Sequence, residues 1–149
     1  MRAVVQRVLN AQVQVGDQCV GRITKGVLVY LGVHKDDTDK DFDYILDKVI
    51  NLRIFSDADG RMNLSVLDTG GEILVVSQFT LLGDARRGRR PSYGEAAGNE
   101  KGNLYYQRFL YSLKEKGIKT ASGQFGADML VSYTNDGPVT ILLDSFKDF

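Results

Sequence analysis

Two short polar segments interrupt apolar stretches of this chain at places where a globular domain otherwise puts packing residues. The first, Ser77-Gln78-Phe79-Thr80-Leu81, closes the run Ile73-Leu74-Val75-Val76. That run is continuous and β-branched, as in a strand buried on both faces. A strand leaving the core exposes its last amides, so Gln78, Phe79 and Thr80 are placed to aim N–H groups at a ligand. Converging backbone donors of this kind suit the stabilisation of an oxyanion. The second segment, Asn135-Asp136-Gly137-Pro138-Val139-Thr140, sets Gly-Pro at the entrance to Val139-Thr140-Ile141-Leu142-Leu143. Proline is tolerated at the first strand position, where its missing N–H costs no ladder bond, and roughly 5–6% of X–Pro bonds in folded proteins are cis. The residues alone leave a plainer reading open, in which Ser77 and Thr80 satisfy nearby backbone groups and Gly137-Pro138 is a trans turn.

Other chemistries find little support. Cys19 is the single cysteine, so no intrachain disulfide forms and a thiolate zinc site lacks ligands. His34 is the single histidine, and nothing in the sequence ties it to Cys19 as a nucleophile–base pair. The acidic stretch from Lys35 to Asp43 could be imagined as a cation site, but its ordering favours a helix start, with Thr38 or Asp39 as N-cap and carboxylates on the positive end of the dipole. Asp57-Ala58-Asp59-Gly60 resembles the opening of a calcium loop but lacks the later ligands. A tight turn with Gly60 at positive φ accounts for it better. No metal or cofactor is expected.

The elements that must position these residues follow from periodicity. Strands are expected at 2–8, 12–15, 19–23, 26–33, 72–79, 129–134 and 138–143. One helix presents Phe42, Ile45, Leu46, Val49 and Ile50 on a single face; a second presents Tyr106, Phe109, Leu110 and Leu113 and ends near Gly117. Two main helices against that many strands make an α+β fold. A length of 149 residues fits a single domain over 1–149. Hydrophobic content of 43% and charged content of 26% are ordinary for a globular protein, and no apolar run reaches the ~20 residues that span a bilayer. The N-terminus lacks a signal-peptide layout, so the cytoplasm is the expected compartment.

Taken together, these motifs give the chain a strong resemblance to the D-aminoacyl-tRNA deacylases. The likeness starts at Met1-Arg2-Ala3-Val4-Val5-Gln6-Arg7-Val8 and runs through Arg53 to Asn63, Gly70-Gly71, Ser77 to Leu81, Arg90-Pro91-Ser92, Gly123 to Met129, and Asn135 to Thr140. It is weakest from Gly94 to Lys119. The resemblance implies a strongly curved, barrel-like sheet, a homodimer, and hydrolysis of the ester between a D-amino acid and the terminal ribose of tRNA. Ser77, Gln78, Phe79 and Thr80 form the implied catalytic segment, with the amides of Phe79 and Thr80 as donors and the neighbouring ribose hydroxyl assisting. A nucleophilic Thr80 hydroxyl is the competing reading, although no local base serves it. Gly137 and Pro138, cis in the family and donated by the partner subunit, would exclude an L side chain, with Arg7 bracing the proline. Phe125 and Met129 match positions near the family's adenosine pocket. Glycine has no side chain to exclude, so glycyl-tRNA mischarged on tRNA(Ala) is an implied second substrate.

A formal net charge of zero is unusual for a protein that handles tRNA. Arg86, Arg87, Arg89 and Arg90 nevertheless fall within five residues, interleaved with Gly88, and a loop carrying them can meet the acceptor end of a tRNA. The alternatives from other classes are a non-catalytic nucleic-acid-binding dimer and a hydrolase of small D-amino-acid esters.

Overall fold

The computed structural model describes all 149 residues. The long apolar runs pair into one six-stranded sheet. Its strands are β1 (Arg2–Val15), β2 (Gln18–Ile23), β3 (Gly26–Gly32), β6 (Glu72–Ser77), β7 (Thr120–Ser122) and β8 (Leu130–Asp144). The spatial order is β2-β1-β3-β6-β7, with β8 also on β1. Two short strands, β4 (Phe55–Ser56) and β5 (Met62–Leu64), form a separate hairpin around Gly60, whose φ is +77°. The helices are α1 (Asp39–Asn51), a single turn α2 (Val66–Thr69), and α3 (Asn99–Glu115).

β1 organises the sheet. Its first half pairs antiparallel with β3, its second half with β2, and both halves pair with β8. β3, β6 and β7 run parallel to one another, which requires the crossovers that α1 and α3 supply. The two ends of the sheet then meet at Gly21 of β2. A Cβ at this position would lie 2.2 Å from the Ser122 carbonyl oxygen of β7, so only glycine lets the sheet curl into a nearly closed barrel.

Curvature explains why β3 and β6 carry unbroken apolar runs. Leu28, Leu74 and Val76 join Val8, Ala11, Val13 and Ile23 in a cluster inside the barrel. The alternate residues Val27, Val29, Leu31, Ile73 and Val75 face outward and pack beneath Phe42, Ile45, Val49, Phe109 and Leu113 of the helices. Each such side chain contributes roughly 1.5–3 kcal/mol relative to exposure, so both faces of these strands hold the site's framework rigid.

α1 starts at Thr38, whose amide and hydroxyl both donate to the Asp41 carboxylate, at 2.8 and 2.7 Å. The Met1 ammonium forms a buried ion pair with Asp37 and lies 2.6 Å from Ser145 Oγ. α3 ends just before Gly117, at φ +75°.

Several boundaries differ from the sequence expectation. Residues 2–8 and 12–15 are one strand, because Asn10 pairs with Thr134 across an otherwise exposed stretch. Residues 129–134 and 138–143 likewise belong to the single strand β8, and β6 stops at Ser77 rather than at residue 79. β4, β7 and α2 are too short to show a hydrophobic period.

Candidate active site

Beyond Ser77 the backbone leaves the sheet and turns at once into one turn of 3-10 helix, Phe79–Leu82. The Gln78 amide donates to the Leu31 carbonyl at 2.8 Å, so the sheet consumes the first of the three N–H groups that the sequence suggested as donors. Leu81 N–H closes onto the Gln78 carbonyl at 3.3 Å. The two amides between them, those of Phe79 and Thr80, open a helical turn and have no partner within it. Thr80 is exposed, and its hydroxyl accepts from Gln78 Nε2.

This turn sits on one side of a cleft of about 650 Å³. Ser77, Gln78 and Phe79 line it from the β6 exit, Tyr93 and Ala97 from the preceding loop, and Tyr106 from α3; the segment Phe125 to Met129 completes the wall. Tyr106 is fully buried, and its hydroxyl donates to the Val75 carbonyl at 2.9 Å. Burial pushes that hydroxyl up to about 12, which keeps it a donor throughout the neutral range. Phe79 and Tyr93 meet edge to face, ring centroids 5.1 Å apart, and both remain largely exposed. The cleft therefore combines apolar walls with unpaired backbone donors beside its rim, a pattern suited to an acyl group carried on a larger molecule.

The loop wall is held against the end of β3. Ala97 N–H donates to the Val33 carbonyl at 2.8 Å and Lys35 N–H to that of Glu95 at 2.9 Å. His34 Nδ1 accepts from the Asp36 amide at 3.1 Å, which fixes the proton on Nε2, 3.1 Å from Glu95 Oε2. The single histidine thus latches the cleft wall, while the exposed Cys19 lies elsewhere on β2. Tyr93, Ala97 and the His34–Glu95 latch were not signalled by local pattern: Glu95 and Ala97 fall in the stretch where the motifs are weakest, and His34 meets Glu95 only across 61 residues of chain. Tyr106, read from sequence as core, is both core and cleft floor.

Gly137 and Pro138 form a separate construction. Gln6 pairs with Thr140 and Val8 with Asn135, so residues 136–139 bulge out opposite Arg7 alone. The Gly137–Pro138 peptide, whose isomer the sequence left open, is cis. Asn135 Nδ2 spans the neck of the bulge, donating to the Arg7 carbonyl at 2.9 Å and the Val139 carbonyl at 3.0 Å. Arg7 Nε lies 3.0 Å from Asp136 Oδ2, and Nη1 donates to the Ile54 carbonyl at 2.6 Å. Gly137 sits at φ +118°, and a Cβ there would come within 3.0 Å of Arg7 Nη2. Arg7 therefore packs directly on the bulge, leaving Gly137 and Pro138 exposed.

Of the residues singled out from sequence, Ser77, Gln78, Phe79, Phe125 and Met129 line one cleft. Thr80 follows Phe79 on the same turn without lining it. Arg7, Gly137 and Pro138 lie together, and none of them lines the cleft, although the start of the same strand β8 reaches it at Val131. Arg86, Arg87, Arg89 and Arg90 are all exposed on a loop closed by the pairing of Asp84 with Ser92, next to Tyr93 at the rim. Asp84 grips Arg86 with two bonds of 2.9 and 2.8 Å, and these hydrogen bonds hold its carboxyl well below the usual carboxylate range.

Comparison with known proteins agrees with this geometry. The profile of the D-Tyr-tRNA(Tyr) deacylase family matches residues 4–144. Proteins named D-aminoacyl-tRNA deacylase from Thermotoga petrophila, Kosmotoga olearia and Clostridioides difficile are 60%, 58% and 56% identical, each over 100% of both chains. A solved structure named c-Myc DNA Unwinding Element Binding Protein is 40% identical with a TM-score of 0.91, covering 97% of this chain and 98% of its own. A probable eukaryotic D-amino acid tRNA deacylase shares the fold at 20% identity and a TM-score of 0.82, over 95% and 97% of the two chains. With the family profile matching nearly the whole chain and these relatives 56–60% identical over their full length, the chain belongs to the D-Tyr-tRNA(Tyr) deacylase family.

Proposed function

We propose that this chain, a D-aminoacyl-tRNA deacylase by family, carries out its ester hydrolysis at the rim of the 650 Å³ cleft, with the backbone amides of Phe79 and Thr80 as the oxyanion donors. The observation that carries this reading is the turn Phe79–Leu82, which leaves those two amides without an internal partner beside an apolar cavity. The terminal adenosine lies against Phe125 and Met129. Water attacks the ester carbonyl, the amides hold the negative charge that develops on its oxygen, and the adjacent ribose hydroxyl of the substrate helps to move the proton. Neither a histidine nor a cysteine lines the cleft, and this reading gives the proton to the substrate's ribose hydroxyl rather than to Asp128, the one carboxylate in the lining.

Chirality is decided by Gly137-Pro138. In one chain this bulge is exposed and absent from the cleft lining, which supports its completing a site on a second copy. Arg7 and Asn135 fix its shape, and its carbonyls meet the substrate's α-carbon where an L side chain would project. Exclusion by a rigid obstacle gives selectivity that an attractive pocket cannot. The enzyme is then a symmetric homodimer with two composite sites, residues 1–149 of each copy acting as one domain. Glycyl-tRNA mischarged on tRNA(Ala) passes the same filter. Arg87, Arg89 and Arg90, with Arg86 held by Asp84, contact phosphates of the acceptor stem in the cytoplasm, where charged tRNA resides. A non-catalytic nucleic-acid-binding dimer, the reading suggested by the DNA-binding name of the 40% identical structure, would have no use for unpaired amides beside an apolar cleft.

The test is complementation. A subunit disabled around Gln78 to Thr80 is mixed with one altered at Gly137-Pro138, and D-aminoacyl-tRNA hydrolysis is measured. Heterodimers regain one intact composite site, so activity should reappear. No recovery despite demonstrated subunit exchange, or an L-rejecting monomer, overturns donation by a partner.

A further inference from the structure

A second groove, of about 730 Å³, continues from the cleft along the exposed face of α3 and shares Asn99, Phe125 and Gly126 with it. Asn99, Glu100, Asn103 and Gln107 form an exposed row there, at helix positions i, i+1, i+4 and i+8. No lysine or arginine lines this groove, so it is unsuited to a phosphate. Side-chain amides beside a carboxylate are instead the groups that read the edge of an unpaired base. Gln107 Nε2 donates to Asn103 Oδ1 at 3.3 Å, which orients the row: the Asn103 amino group is left as a donor and the Gln107 carbonyl as an acceptor. Leu104, 63% exposed beside them, offers an apolar surface for a base to lie on. Glu100 suits the positive end of α3, but Asn99 and Asn103 are poor helix formers, and neither is buried.

We propose that the row Asn99, Glu100, Asn103 and Gln107 is a base-reading subsite for the penultimate nucleotide of the substrate's 3′ end, selective for cytosine; this rests on the terminal adenosine lying in the adjoining cleft. Cytosine presents an exocyclic amino donor, which the Glu100 carboxylate accepts, next to acceptors that the Asn103 amino group reaches. Uracil places a carbonyl oxygen against Glu100, where two acceptors repel. The subsite thus selects the RNA end itself, independently of the amino acid.

The experiment uses D-aminoacyl-tRNA ending in CA or in UA, made by ligating D-aminoacylated dinucleotides to a truncated tRNA. Wild-type protein should prefer CA by about tenfold in kcat/KM, mostly through KM, in line with the discrimination that one paired base edge gives. Glu100→Gln, whose amide can donate as well as accept, should bring the ratio close to one by losing on CA and gaining on UA. Equal wild-type rates on the two ends overturn the subsite. So does a Glu100→Gln protein that slows both substrates alike and keeps the tenfold ratio, because that is the signature of a structural role. Absence of any cleavage of the CA substrate by wild type would instead overturn the deacylase reading of the cleft, and the subsite with it.

Discussion

Replacing Thr80 by alanine or valine separates backbone from side-chain chemistry. Thr80 is exposed, and its hydroxyl makes one side-chain hydrogen bond, from Gln78 Nε2. Surface changes of this kind alter stability by about 0.5 kcal/mol or less, so the fold should be unaffected. The Thr80 amide remains in both variants, at the start of the same turn. The single-turnover rate on D-aminoacyl-tRNA should therefore fall by less than about tenfold, or roughly 1.4 kcal/mol of barrier, chiefly from the freed Gln78 side chain. Converting the Thr80 amide to a backbone ester by semisynthesis makes the opposite change, keeping the hydroxyl and deleting the donor. That protein should lose about 10²–10³ in rate, the usual cost of one oxyanion donor. A nucleophilic hydroxyl predicts the reverse order, since removing a nucleophile costs on the order of 10⁶. Near-complete inactivation of Thr80→Ala with its fold intact, or an aminoacyl ester trapped on Thr80 and seen by mass spectrometry, refutes the backbone assignment.

Three further outcomes are expected. A tRNA ending in 2′-deoxyadenosine should bind normally but be cleaved far more slowly; undiminished single-turnover cleavage would mean that the protein supplies its own base. Charge reversal at Arg87, Arg89 and Arg90 should weaken tRNA binding and flatten its dependence on salt without changing the D-over-L ratio, because phosphate contacts position but do not select the amino acid; an unaltered salt titration would leave the loop without a role in binding. Burial alone would raise the Asp41 carboxyl, but hydrogen bonds from the Thr38 hydroxyl and amide outweigh it and bring it down to about 2 from 3.8. A group lowered in the folded state stabilises above its unfolded value and loses that contribution as pH falls through the folded one. Urea midpoints of wild type should thus drop between about pH 4 and pH 2 more steeply than those of Asp41→Asn, and parallel profiles would show that this cap does not titrate as described.

Local pattern carried a large part of the fold. The unbroken run Ile73 to Val76 announced a strand buried on both faces and residues 26–33 a second strand, and a barrel with helices outside is what buries both. The stripe from Phe42 to Ile50 gave α1 together with its Thr38 start, and Gly60 and Gly117 marked turns that do sit at positive φ. The polar break at Ser77 to Thr80 likewise identified the place where the backbone turns out of the sheet, since that break is written in consecutive residues.

Contacts between residues far apart in the chain were another matter. Nothing near residue 78 shows that its amide is taken by Leu31, or that Tyr93, Ala97 and Phe125 arrive to wall the cleft, because those meetings are set by parallel crossovers tens of residues long. The continuity of β8 through its bulge depends on its partner β1, not on its own composition. Barrel closure at Gly21 depends on a carbonyl about a hundred residues away, on Ser122. Runs of neighbouring residues were enough to establish which backbone segments are buried, where they turn and which family's chemistry they carry. Three-dimensional packing settled which amides are left free, what encloses them, and that Gly137-Pro138 does not line the cleft of its own chain, because each of these is fixed by long-range pairing that periodicity over a few residues does not encode.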